Sequence, residues 1–208
     1  MASRVIRGNG DEFRFARGTT AADWARHAAR PGRFPPRALT ARLSSLHSVS
    51  MQPKWRLSHV QGYLGLGMVR EAAAEFEHLS ASERDTTPAL ALRVALCQEQ
   101  HDWPALRDAS IALVRRVPGE AGGWITWAYA VRRAESLGAA EEILRLAETK
   151  HPAEPTIQFN LGCYACLNGD LAEARRRVDR AIALDPSFRA LAATDPDLAA
   201  LRSTPPPV

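Results

Sequence analysis

The feature that most constrains this chain is a period. Pro118, Pro152 and Pro186 stand 34 residues apart, and stepping that interval through the chain aligns four further columns. Val60, Val94, Ala128 and Gly162 form one, and Tyr63, Cys97, Val131 and Ala165 a second. Ala72, Leu106, Ala140 and Ala174 form a third, and Leu79, Leu113, Ala147 and Ala181 a fourth. Every member is apolar or glycine. A period of this length marks an array in which one supersecondary unit recurs. A single unit of this size cannot bury its apolar face, so its neighbours must cover it.

Each unit reads as two helices. In the last, Thr156 to Leu167 carries one apolar face, Gly169-Asp170 breaks it, and Leu171 to Leu184 carries the next. Glycine supplies the left-handed residue that ends a helix, and Asp170 can cap the amides that follow. Pro186 cannot continue the second helix and biases Asp185 away from helical geometry. In the second unit Asp102 is the expected cap, with Pro104 tolerated in a first helical turn.

The pattern resembles the tetratricopeptide repeat (TPR) family. The fullest match is Asn160-Leu161-Gly162 with Ala165, Gly169-Asp170, Ala174, Ala181 and Asp185-Pro186. The first unit matches at Tyr63, Gly67, Ala72 and Phe76. The resemblance implies an all-α fold, a right-handed α-solenoid of about four helix-turn-helix repeats over 53–86, 87–120, 121–154 and 155–188. A short C-terminal capping helix is expected near 196–202, closing a domain of 51–203, with 204–208 a disordered tail. Departures from the pattern point to looser packing in some repeats. His59 and Arg93 stand where Trp127 and Leu161 are apolar, Arg84 replaces a proline, and His101 and Glu135 replace the small residue between helices. His59 is expected to be packed or hydrogen-bonded in the core.

The net charge of +4 divides unevenly. Residues 1–50 hold nine Arg, no Lys and three acids, which leaves the remaining 158 residues at −2. A mildly acidic body argues against nucleic acid as the partner. The leader 1–50 has few large apolar residues against a high charge, so a disordered basic arm is expected. An Arg-rich transit peptide and a start nearer Met51 are the other readings. No run approaches the 18 apolar residues of a membrane span. Three cysteines without a secretory signal fit a reducing compartment, and a cytoplasmic protein is expected.

In TPR proteins the first helix of each repeat lines a concave groove that takes peptides or partner helices. By register the groove residues here are Leu57, Gln61, Leu64, Gln98, Ile125, Tyr129, Arg132, Arg133, Phe159, Cys163 and Cys166. The implied function is a non-enzymatic interaction module, adaptor or chaperone-like, for a protein segment that is acidic and amphipathic. Arg132 and Arg133 would meet its charge, and Tyr and Arg commonly anchor interfaces. The alternative is structural: self-assembly, or a clasp of the chain's own leader through Trp24 or Leu39, Leu43 and Leu46. The clamp that some TPR domains use for a C-terminal carboxylate is not expected, because Leu57, Gln61, Leu92, Gly122 and Thr126 lack its charge.

Other chemistry carries less. Cys163-Tyr164-Ala165-Cys166 is a CxxC, and a thiol-redox protein using Cys163 and Cys166 is a further alternative. Reactive pairs sit at helix N-termini, whereas this pair is placed in mid-helix. Zinc needs about four ligands, and no second pair follows. No metal or cofactor is expected. Arg175, Arg176, Arg177 and Arg180 read as a solvated helix face, with Glu173 pairing Arg177 at i,i+4.

Overall fold

A computed structural model describes residues 53–203; the leader 1–50 and the tail 204–208 lie outside the described residues. Within that range every regular element is helical, with no strand among the described residues. The first helices of successive hairpins are α1 (Pro53–Gly65), α4 (Thr87–Gln100), α6 (Ala121–Ala134) and α8 (Pro155–Leu167). Their partners are α2 (Val69–Glu77), α5 (Trp103–Arg116), α7 (Leu137–Lys150) and α9 (Leu171–Leu184). Both sets start at 34-residue intervals. A single turn of helix, α3 (Ala81–Arg84), lies between the first and second hairpins.

The hairpin turns show how local chemistry sets this rhythm. Gly67 and Gly169 take positive φ, 73° and 84°, after their helices. That conformation lets Asp170 donate its backbone N–H back to the Ala165 carbonyl at 2.9 Å, satisfying a group that the helix end would orphan. His101 fills the equivalent position in the second hairpin with φ 57°, its ring edge-on to Trp103. A side chain in this region is strained where glycine is not. Glu135, the fourth member of the column, avoids it with φ −130° and accepts instead from Arg107 of α5 at 2.8 Å. Asp102, Ser136 and Asp170 each cap the second helix of their hairpin by accepting the N–H three residues on. Where Arg84 stands in place of proline, its guanidinium donates to the Leu79 and Glu77 carbonyls at the end of α2.

The aligned columns are the core. Of the sixteen residues, all but the half-buried Tyr63 are buried. His59 departs from expectation: it is exposed, and its neighbour Val60 fills the core position instead. α8 and α9 pack tightly at Gly162. A Cβ built there would lie 2.9 Å from Val178 Cγ2 and 3.2 Å from Arg177 Cβ, so only glycine fits this crossing of α8 and α9.

Beside that crossing lies a polar contact that corrects the sequence reading. Arg177 is buried, not part of a solvated face. It donates to Glu173 Oε1 at 2.7 Å, to Gln158 Oε1 of α8 at 3.0 Å, and to Glu148 of α7. Gln158 in turn donates to Glu148 at 2.8 Å. The i,i+4 partner is visible locally; Glu148 and Gln158, which close the network around the guanidinium, come from other helices. Arg176 remains exposed and makes a two-pronged contact with Glu173. Hydrogen bonds from Arg176, reinforced by Arg177 and outweighing burial, pull the Glu173 carboxyl down to about 2. At Glu148 burial pushes upward, but the bonds and field of Arg177, with Gln158, prevail and hold it below the usual range.

The chain end is more elaborate than one capping helix. α10 (Phe188–Thr194) follows α9, Asp195 caps a 3₁₀ turn (Pro196–Leu198) by accepting from Asp197 N–H, and α11 (Ala199–Ser203) completes it. Phe188, Leu198 and Leu201 are buried. α10 starts close to one period after α8, so it supplies part of the surface a further repeat would offer α9.

Two outcomes follow for stability. Gly162→Ala should cost about 1–3 kcal/mol by overpacking. Gly62→Ala, where nothing lies within 4 Å of the added carbon, should add about 0.5–1 kcal/mol by removing glycine's backbone entropy; urea unfolding of the pair measures both. Because the folded Glu173 titrates near 2 and an unfolded glutamate near about 4.3, its contribution is complete above the unfolded value and lost as pH falls toward 2. Between pH 5 and pH 3 the Glu173→Gln protein should therefore lose less stability than the wild type, and equal losses would show that this carboxylate does not carry the dependence.

Candidate functional site

The groove residues expected from the sequence fall in four register columns on the first helices. Leu57 leads to Ala91, Ile125 and Phe159; Gln61 to Ala95, Tyr129 and Cys163; Leu64 to Gln98, Arg132 and Cys166; and Gly65 to Glu99, Arg133 and Leu167. Their surroundings change along the stack. At the N-terminal end Leu57, Gln61, Leu64 and Gln98 are half-buried, reachable along one side. From α6 onward Ile125, Tyr129, Phe159, Cys163 and Cys166 are buried, with Tyr129 in the cluster that joins the second and third repeats.

The open half has small side chains on its floor, Ala91 and Ala95, with Leu57 and Leu64 on one side. Its far wall is an aromatic cluster that includes a residue the sequence reading missed. Trp103, at the start of α5, packs edge-on to Tyr129 with ring centroids 5.6 Å apart. Arg133 lies 4.9 Å above the same indole, a cation–π contact that fixes a long side chain. The signal is present in the Asp102-Trp103-Pro104 turn, which in sequence declares only its capping role. Within the half-buried Gln98, the Oε1 atom is buried and accepts no hydrogen bond, a costly state for an amide oxygen.

The covered half is closed by the chain itself. The 3₁₀ turn packs against α8, and Phe188 packs on Phe159 with ring centroids 5.1 Å apart. Arg132 of α6 donates to Asp197 Oδ2 at 2.9 Å, with both side chains only 14% exposed. The same guanidinium sits 5.2 Å over the Tyr164 ring. Cys163 Sγ and carboxylate oxygens of Asp195 and Asp197 all lie within 4.8 Å of one another. Three such donors have the types that hold a divalent ion, but the positive charge beside them is already supplied by Arg132.

The CxxC lies in the last turns of α8, closer to the helix C-terminus than the mid-helix placement expected. Cys163 and Cys166 are buried free thiols. Burial, then the carboxylates of Asp195 and Asp197, push the Cys163 thiol well above its ordinary range. The negative end of the helix dipole acts in the same direction. A redox cysteine needs the opposite environment.

No protein-family profile matches this chain, and no curated protein does. Solved structures do. The thermophilic TPR protein TTC0263 of Thermus thermophilus is 20% identical with a TM-score of 0.55, covering 73% of this chain and 82% of its own. MamA MSR-1 C2 is 13% identical with a TM-score of 0.58, covering 68% of this chain and 81% of its own. At such identities the likeness speaks for the fold alone, and it agrees with the 34-residue period, the paired helices and the buried columns: by fold, this chain is a TPR-type α-solenoid.

Proposed function

We propose that the protein is a non-enzymatic interaction module that holds a segment of another protein along the groove formed by α1, α4 and α6. Leu57 and Leu64 offer apolar contact, Gln61 and Gln98 offer amide hydrogen bonds, and Arg133, held over Trp103 beside the buried Tyr129, supplies positive charge. The observation that carries this reading is the half-buried row Leu57, Gln61, Leu64 and Gln98 along α1 and α4, with Gln98 Oε1 a buried acceptor without a donor. Rotation of the half-buried Gln98 amide would let a backbone N–H from an extended or helical segment satisfy it. The adjoining Tyr129, Trp103 and Arg133 cluster is already ordered before any partner arrives, which lowers the cost of binding. Among the described residues no helix is long and apolar enough to cross a membrane, and the proposed working place is the cytoplasm. Affinity for a groove of this length should be on the order of micromolar, about −8 kcal/mol.

The test is quantitative capture with the full chain as bait. Tyr129→Ala combined with Gln98→Ala should weaken capture of the wild-type protein's partners by about 2 kcal/mol or more, roughly thirty-fold, with helical circular dichroism unchanged. Undiminished capture by a folded double variant would move the site off this face.

A further inference from the structure

The covered half of the groove already contains a segment, and that segment's chemistry is readable. Asp195-Pro196-Asp197-Leu198 lies against the first helix of the fourth repeat, with Asp197 on Arg132 and with Asp195 and Asp197 beside Cys163. Leu198 is buried, and Phe188 at the start of the segment covers Phe159. Arg132, Cys163 and Phe159 belong to the same register columns as Gln98, Gln61 and Leu57 in the open half. A stretch of the chain therefore sits where a partner segment would continue along the groove. We propose that residues 188–203 are a displaceable strap, and that the partner segment which displaces it carries the same chemistry: paired carboxylates around a turn, followed by an apolar anchor.

The attachment suits exchange. The strap is held to α6 by the Arg132–Asp197 ion pair at its centre, and to α8 by Phe188 on Phe159 and by the 3₁₀ turn. It is joined to α9 by the three residues Asp185 to Ser187. Arg202 tethers the strap to itself, donating to the Ala192 and Asp195 carbonyls, so it can leave as a preformed unit. Arg175 of α9 reaches the Leu201 carbonyl at 3.4 Å at the far end. A partner carrying two carboxylates and a leucine would replace the Asp197 and Leu198 contacts one for one, so that Arg132 keeps a counter-charge in both states. This inference rests on the groove reading above, but its test needs no partner protein.

The probe is a labelled peptide with the sequence of residues 188–203, added to the full chain. Asp197→Asn loosens the strap and raises the binding-competent fraction, so the apparent affinity for the peptide should tighten about ten-fold over wild type. A peptide with both aspartates changed to asparagine should lose that gain. Cys163, shielded beneath the strap, gives a second readout by maleimide labelling and mass spectrometry, with Cys97 in α4 as internal reference. Its labelling should quicken about ten-fold in Asp197→Asn, relative to Cys97, and slow again when the acidic peptide is added. Leu198→Ala loosens the strap without altering charge and should act the same way. Equal peptide affinity in wild type and both folded variants would overturn the proposal. So would Cys163 and Cys97 quickening together, which signals general loosening, or dimers on sizing, which signal straps exchanged between copies. Peptide binding by Asp197→Asn alongside undiminished capture by the Tyr129 and Gln98 double variant would sink the open-groove reading alone; the reverse pattern would sink the strap alone.

Discussion

A helical hairpin of this length has more apolar surface than its two helices can hide from water, and every other feature of the molecule answers to that deficit. The answer is close approach. Where first and second helices meet, the side chains are small: Ala72, Ala140 and Ala174 on one side, Ala128 and Gly162 on the other, all buried. Small residues at the crossing bring backbones near enough for the larger flanking residues of adjacent hairpins to interleave. Leu106 is the one larger member of these second-helix positions, and Leu144, Ile157 and Phe159 join one buried cluster across the last repeats. The constant step between helix starts follows, because an inserted residue would rotate a whole helix face out of its seat.

The repeating part of this arrangement was legible in the sequence because it is local and periodic. A glycine followed by a cap residue, a proline after a helix and a small residue one turn inside each declare themselves within a few positions. What escaped was non-local. Arg177 looks like its neighbours Arg175 and Arg176 until Glu148 and Gln158 arrive from two other helices. His59 holds a position that is apolar in the third and fourth units, yet the helix face in this first unit leaves it in solvent. Trp103 was legible as the start of a helix but not as the platform under Tyr129 and Arg133.

The candidate groove illustrates the same division. Register assigned its columns, since a first helix presents the same positions in every repeat. Register could not say that the columns open at one end and close at the other. That depends on Asp195 and Asp197, which reach Cys163 and Arg132 because the 3₁₀ turn after α10 packs on α8. A terminal acid-proline-acid sequence reads as a helix start, and here it is one; its second role exists only in three dimensions.

The two ends of the stack are also unequal in how they are held. The last hairpins are locked by the Arg177 network and the Gly162 crossing, neither of which involves the folded-back terminus. The first shows Trp55 and Leu66 to solvent at 55% and 75% exposure, and nothing among the described residues lies on its outer side. In a linear array each unit draws its stability from its neighbours, so local melting runs inward from the end with fewest of them. Among the described residues the stack is thus a spring clamped at one end. Whatever settles against α1 would stiffen the loose coil, and the benefit of that stiffening would pass down the stack one hairpin at a time.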